Sequence, residues 1–566
     1  MRHQFRYNTN EPYADLRASF RHAAETYPAR PALKQRRGGH YVSVTYTDLS
    51  SYVDGLGTAF MDLGLRGRHT IIAGRNSAEW SMAFLAVVNG LGVAVPADGS
   101  QTPAELAELA EKSDAGAVIY PPEFSEAAES LPEGIVKICF SSFPELIRKG
   151  RQAIGRGEHR YSSLVIDPES PACIIYTGSA DNSRGAVLSH SAICFDLSEL
   201  GKVMKYTPSD SFMAVAPFSN TFGLESGLLF PLFAGACSVF TDGLRFLTED
   251  IAAARPTVVC CTPAVLRTIY GNIVAAVSSR GQVAEKIFRN LVKVTYGDMR
   301  LKRHAFRQIH DALGGRVRLF MCGGAPADQG ALSGLRDMGF RVLYAYGLSG
   351  CAPFAAVNGP GRFRRGAAGR PSPGCIMDIY DIRKDGTGEI RCKGKNIMSG
   401  YYGDPLSTAA VIRGGWFYTG DFGYKDKNGY FHITGSRKNL IVTASGRNIY
   451  PEELEEQLCR SPFVAEAVVL SYPNESVGDY DIVAVLVPDK AALASKYGKR
   501  FLPGQTEAEL KRAVDGVNGL NAAYKHIGYY VERNGSFLHN AAGKIIREGV
   551  AAESFDEYRR RLTQSN

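Results

Sequence analysis

The sequence has no C-x-x-C pair among its 11 cysteines. That spacing marks most structural zinc sites, so no zinc or other protein-held metal is expected. One adjacent pair, Cys260 and Cys261, is the only clustering, and the odd total lacks the spacing of a disulfide framework. Such usage suits a reducing compartment, and a cytoplasmic location is expected. Long apolar runs are also missing. MAFLAVVNGLGVAVPA and SGLLFPLFAGACSVF are the most apolar stretches, and both are short and broken by Gly or Pro. They read as buried core, not as integral membrane segments. The opening MRHQFRYNTNEPYADL is polar and has no apolar signal-peptide core. Charge of one sign is scarce too: 65 Lys and Arg against 57 Asp and Glu leave +8. No basic run is dense enough for nucleic acid, which is not expected as a partner. Short-period repeats and low-complexity linkers are absent.

What is present is a 566-residue chain, 45% hydrophobic and 22% charged. That is too long for one ordinary domain and apolar enough for large cores. YTDLSSYVDGLGTAFMDLG places Leu49, Val53, Leu56 and Phe60 on one helical face. HTIIAG follows as a buried strand, then SAEWSMAFLAVVNGLG as a helix and VAVPAD as a strand. TPAELAELAEKSDAGAVIY repeats the helix-then-strand pattern. The rhythm recurs around PACIIYTG, SVFTDG, PTVVCCTP and RVRLFMCGG, so the fold class is α/β with parallel, helix-covered sheets. After about residue 365 the texture changes. GCIMDIYDIRKDGTGEIRCKG reads as antiparallel strands in a small β-barrel-like region. PEELEEQLCR, AEAVVLSYP, YDIVAVLVPD and EAELKRAVDGVN then suggest a separate small α+β C-terminal domain. The expected boundaries are 1–435 and 436–566.

Several stretches carry chemistry only in combination. YTGSADNSRGAVLSH, Tyr176–His190, looks like a phosphate-gripping loop, yet it has two glycines and no lysine. Further on come LFMCGGAPAD, LYAYGLSG, GWFYTGDFGYKDKNGYFHITG, TASGRNIYPEELEEQL and NAAGKIIRE. In this order and spacing they resemble the AMP-forming acyl-activating superfamily of acyl- and aryl-CoA synthetases, peptide-synthetase adenylation domains and firefly luciferase. The resemblance runs from about Tyr46 to Lys544, and EWSMAFLAVVNGLGVAVP is most similar to the fatty-acyl and medium-chain branches.

The resemblance implies roles. Asp421 takes both ribose hydroxyls, since two carboxylate oxygens match a vicinal diol. Gly323, Gly324 and Ala325 let backbone approach the adenine. Tyr346 stacks on the base beside Gly347. Thr177, Gly178, Ser179 and Arg184 face the phosphates. Lys544 bridges the substrate carboxylate and the α-phosphate, stabilising the charge that builds there. Phe218, Asn220, Phe222, Gly223 and Ala352 border an apolar acyl pocket, in which Gly223 and Gly227 leave room for a chain. Lys438, Ser445 and Gly446 mark the hinge and the CoA tunnel.

The implied function is ligation of an apolar carboxylic acid, a fatty acid first, using ATP with Mg2+. Acyl-AMP forms, and the acyl group passes to CoA or to the thiol of an acyl carrier protein. The pattern departs in one quarter, around the triphosphate and magnesium. The loop is one residue shorter than the family's, its paired threonines give way to Ala180 and Asp181, and its lysine to Arg184. The metal-binding glutamate is replaced by Gly350, a pocket histidine by Asn220, and the arginine that opens the small domain by Ser436, unless Arg437 takes its place. A degenerate nucleotide- or acyl-binding relative, and a member that handles only preformed acyl-AMP, therefore stand as alternatives.

Overall fold

Thr45 starts the first long helix by accepting a hydrogen bond from the Asp48 amide. The helix runs Tyr46–Asp62, and Leu49, Val53, Leu56 and Phe60 are its fully buried face, as the 3.6-residue period requires. This computed structural model describes residues 12–177, 183–281, 286, 288, 290–292, 299–326, 328–361, 363–384, 386–442, 448–474, 479–498, 500–539, 545–547, 549–550 and 554.

Two large sheets form the bulk of the chain. In the nine-stranded sheet, Pro31–Arg37, Cys237–Phe240, Ser211–Ala214, Val258–Cys261, Leu319–Cys322 and Arg341–Leu348 are parallel neighbours in that order. In the seven-stranded sheet, Val136–Cys139, Ala115–Tyr120, His69–Ile72, Val93–Pro96 and Pro171–Thr177 are parallel. Their central strands are near-continuous apolar runs, which suits strands covered on both faces. The expectation of parallel sheets fits these centres but not the edges. His40–Thr45, Ala352–Asn358, Arg370–Pro371, Arg184–Ser189 and Gly400–Tyr401 all pair antiparallel. The reason is connection length. Thr177 faces Arg184 across a hairpin, too close in sequence for the crossover that a parallel pair needs.

The texture change after residue 365 is an antiparallel sheet. Ile376–Tyr380 pairs with Gly388–Lys393, and that strand with Trp416–Lys425. Phe431–Ser436 also pairs with Trp416–Lys425. The small C-terminal domain pairs Val464–Asn474 with Asp479–Pro488, and adds Tyr529–Glu532 in parallel. Helices Pro451–Leu458 and Pro503–Leu520 close its core through Leu454, Leu458, Leu510 and Val514. Gly435, where the sequence suggests a boundary, lies inside the strand Phe431–Ser436. No helix among the described residues is long and apolar enough to cross a membrane.

Candidate active site

The strand Trp416–Lys425 carries Asp421, and the strand Arg341–Leu348 carries Tyr346. The two meet: the Tyr346 hydroxyl donates to Asp421 Oδ2 at 2.8 Å. Burial, and then the Asp421 charge, push the Tyr346 hydroxyl well above its ordinary pKa, so it stays a donor. Tyr346, expected to stack on a base, is buried and commits its hydroxyl to the expected ribose aspartate. Gly420, at φ +74°, turns the chain just before Asp421. Its amide donates to Glu389 Oε1 at 3.1 Å, and Arg437 Nη2 donates to Glu389 Oε2 at 2.6 Å. The Arg437 amide in turn donates to the Gly420 carbonyl at 2.7 Å. Arg437 is thereby fastened to the Gly420–Asp421 turn, while Ser436 pairs with Asp421 across the ladder. Lys438 is exposed.

A second group of segments stands close by. A Cβ on Gly323 would come within 2.7 Å of the Phe222 ring, and Gly324 sits at φ +81° with Asn220 3.4 Å from its own Cβ position. Both positions require glycine. Asn220 opens the short helix Thr221–Leu224 by accepting from the Phe222 amide. Thr221 Oγ1 donates to Ser349 Oγ at 2.8 Å, and the Tyr344 hydroxyl to the Ala325 carbonyl at 3.1 Å. Gly347 turns so tightly that a Cβ would lie 2.1 Å from the Ala352 carbonyl. Ala352 itself has φ +58° and ψ 158°, a region nearly restricted to glycine and one in which strain gathers at functional sites. The residues expected for the adenine, ribose and acyl ends, Phe218 apart, are thus linked through these contacts. Phe218 lies one layer off, buried against Trp80.

One expectation changes. Gly223 and Gly227 do not leave room for a chain. A Cβ on Gly223 would meet the Pro217 carbonyl at 2.0 Å, and one on Gly227 the Ala214 side chain at 2.8 Å. They let this helical segment press onto its neighbours, which is close packing instead of a cavity. Arg184, expected to face the phosphates, has partners of its own. Its guanidinium lies 3.7 Å from Asp404 and over the Tyr401 ring at 5.6 Å, and is half exposed.

Position 350, where the resemblance expects a magnesium-binding glutamate, is closely packed. A Cβ on Gly350 would stand 2.7 Å from the Phe417 ring and 3.2 Å from Met398 Sδ. Among the described residues no group of three or more His, Cys, Asp or Glu side chains could hold a metal ion. These residues do not fit a magnesium site at this position. Gly178, Ser179, Ala180, Asp181, Ser445, Gly446 and Lys544 lie outside the described residues, and Thr177 is placed by its backbone alone.

Sequence reasoning missed Glu389 and Phe417. A buried acid near the start of the strand Gly388–Lys393, next to Ile390, was the signal for the first. The second stood in plain view, within GWFYTGD.

The chain is similar to known proteins in sequence and in fold. Residues 20–402 match the AMP-binding enzyme family. The chain is 26% identical over 526 residues to long-chain-fatty-acid–CoA ligase 5 of Rattus norvegicus, spanning 84% of this chain and 76% of that protein. It is 25% identical over 468 residues to an indoleacetate–CoA ligase of Aromatoleum aromaticum, spanning 79% and 83%. Its fold matches an anthranilate CoA ligase solved in complex with anthranoyl-AMP, at TM-score 0.77 and 19% identity over 96% of this chain and 98% of that one. It also matches the o-succinylbenzoate CoA synthetase of Bacillus subtilis solved with its acyl-adenylate intermediate, at TM-score 0.72 and 21% identity over 96% and 98%. With a family match across more than half its length, the chain belongs to the AMP-binding enzymes.

Proposed function

We propose that the protein is an AMP-forming acid–thiol ligase whose adenylate half is retained and whose triphosphate half is weakened. It activates an apolar carboxylic acid of the fatty-acid class with ATP, through acyl-AMP, and passes the acyl group to CoA or to a carrier thiol. The observation that carries this reading is the junction of Tyr346 and Asp421, together with the closely packed Gly323–Gly324 turn and the filled position at Gly350. The printed activities of the relatives, all acid–CoA ligations, support the same class of reaction.

In this reading Asp421 holds the ribose and the glycine turn admits the base. Lys544 stabilises charge at the α-phosphate. Residues 1–435 bind the nucleotide, and residues 436–566 act as a lid that swings on the segment around Lys438. Relative to the family, the weakened grip is the one on the β- and γ-phosphates. A hydrogen bond to a charged group contributes about 1.5–3 kcal/mol, so removing two slows the first half-reaction by orders of magnitude.

A second reading, a nucleotide-binding relative without ligase activity, is favoured by the same closure at Gly350 and by the engagement of Arg184 with Asp404. Titration calorimetry with AMP, and with ATP plus Mg2+, tests the proposal. AMP is expected to bind at least as tightly as ATP. ATP with Mg2+ binding a hundredfold tighter than AMP would contradict a weakened triphosphate half.

A further inference from the structure

Phe222 and Phe354 meet ring to ring, with centroids 5.9 Å apart and planes tilted by 56°. Both are buried, at 1% and 0% exposure. Phe222 stands on the short helix Thr221–Leu224, directly beneath Gly323. Phe354 stands on the strand Ala352–Asn358, two residues past the strained Ala352. One ring therefore borders the proposed adenylate and touches the ring behind it. The helical segment beside them is closely packed, since a Cβ on Gly223 or Gly227 would meet near neighbours.

Behind this layer the wall is polar. Asp196, on the helix His190–Val203, accepts a hydrogen bond from the Phe354 amide. Glu225, one turn after Phe222, faces Asp196. Both are 1% exposed. The groups around them are each other, Glu199, and the buried thiols of Cys173 and Cys194. Glu199 is itself held by Lys202 and the Gly374 amide. With no cation among these neighbours, burial and their mutual repulsion push both carboxyls above their ordinary range, while the Asp196 carboxyl holds Phe354 through its backbone amide.

Resting on the reading of this site as an acyl-adenylate site, we propose that the acyl pocket ends at the Phe222–Phe354 layer and takes a short-chain or small acid. A longer alkyl chain would have to separate a pair of packed rings and then lie against two buried carboxyls, where added methylenes gain no apolar surroundings. Phe222 and Phe354 are thus the residues that set chain length.

The test uses the full chain and acyl-sulfamoyl adenosines, stable mimics of acyl-AMP, titrated by calorimetry. Acetyl, butyryl, octanoyl and dodecanoyl mimics form the series. The acetyl and butyryl mimics are expected to bind about tenfold or more tighter than the dodecanoyl mimic. Phe354→Ala is expected to narrow that gap by favouring the octanoyl mimic, with Phe354→Leu as a milder variant should the first fold poorly. The wild-type series decides the matter without either variant. If dodecanoyl binds as well as acetyl or better, the short pocket is overturned while the adenylate reading stands. If no mimic binds although AMP does, the acyl-adenylate reading falls and the inference falls with it.

Discussion

The Phe417 ring lies where a side chain on residue 350 would begin, 2.7 Å from the Cβ position of Gly350. Met398 closes the other flank at 3.2 Å, and both neighbours are 3% exposed. The missing carboxylate is therefore more than a substitution, because the space has been packed over. Gly350→Glu alone should destabilise the fold by roughly 1–3 kcal/mol through overpacking and bring no gain with ATP. Paired with Phe417→Ala it should recover some of that stability and make pyrophosphate exchange respond to added Mg2+. Denaturant unfolding and a magnesium titration check this. Wild-type stability in the single variant would show that position 350 is open after all.

Asp421→Ala should weaken AMP binding more than Tyr346→Phe does. The first removes the proposed ribose acceptor. The second removes only the donor that holds it, a hydrogen bond to a charged group that contributes about 1.5–3 kcal/mol. Tyr346→Phe should thus cost roughly tenfold in affinity. Calorimetry with AMP gives both numbers. Equal affinity in all three proteins would remove Asp421 from the site.

The buried Asp196–Glu225 pair predicts a pH dependence of stability. Burial pushes Asp196 up to about 7, and burial together with Asp196 pushes Glu225 well above the ordinary carboxylate range. Folded-state values above the unfolded ones mean the folded chain holds extra protons. The stabilisation is then full below the ordinary carboxylate range, and is lost as pH rises through the folded values. Tm should fall from roughly pH 5 to pH 8, and Glu225→Gln should flatten the slope. Scanning fluorimetry across that range reads it directly. A wild-type Tm that rises over the interval would contradict the raised carboxyls.

Lys544→Ala should suppress adenylation by roughly 3–4 kcal/mol, about two to three powers of ten, while AMP affinity changes little. The comparison of single-turnover acyl-AMP formation with AMP binding on one preparation separates the two effects. Full activity in the variant would remove Lys544 from the reaction.

Much of the frame was legible from periodicity. Leu49, Val53, Leu56 and Phe60 marked their helix, and the apolar runs VAVP and VVCC marked strands of parallel sheets. The strand pair Pro31–Arg37 and His40–Thr45 was not read. Its segment PALKQRRGGHYVSVT mixes basic and apolar residues without clean alternation, and its turn depends on Gly38 and Gly39 at positive φ. Within the candidate site, the close backbone approach at Gly323 and Gly324 was legible because a motif fixes geometry there, and Asp421 was legible as a carboxylate offered by a motif. It was not legible where side chains from distant segments meet. The Phe417–Gly350 and Phe222–Phe354 contacts join residues far apart in sequence, and glycines that seemed to open a pocket instead closed it.

The central claim is an imbalance between two half-reactions, so both should be measured on one preparation across a panel of short, long-chain and aryl acids. The account predicts slow ATP–pyrophosphate exchange together with rapid transfer from supplied acyl-AMP to CoA for at least one acid. Fast pyrophosphate exchange would contradict it, because Arg184 and its neighbours would then have rebuilt the grip on the triphosphate.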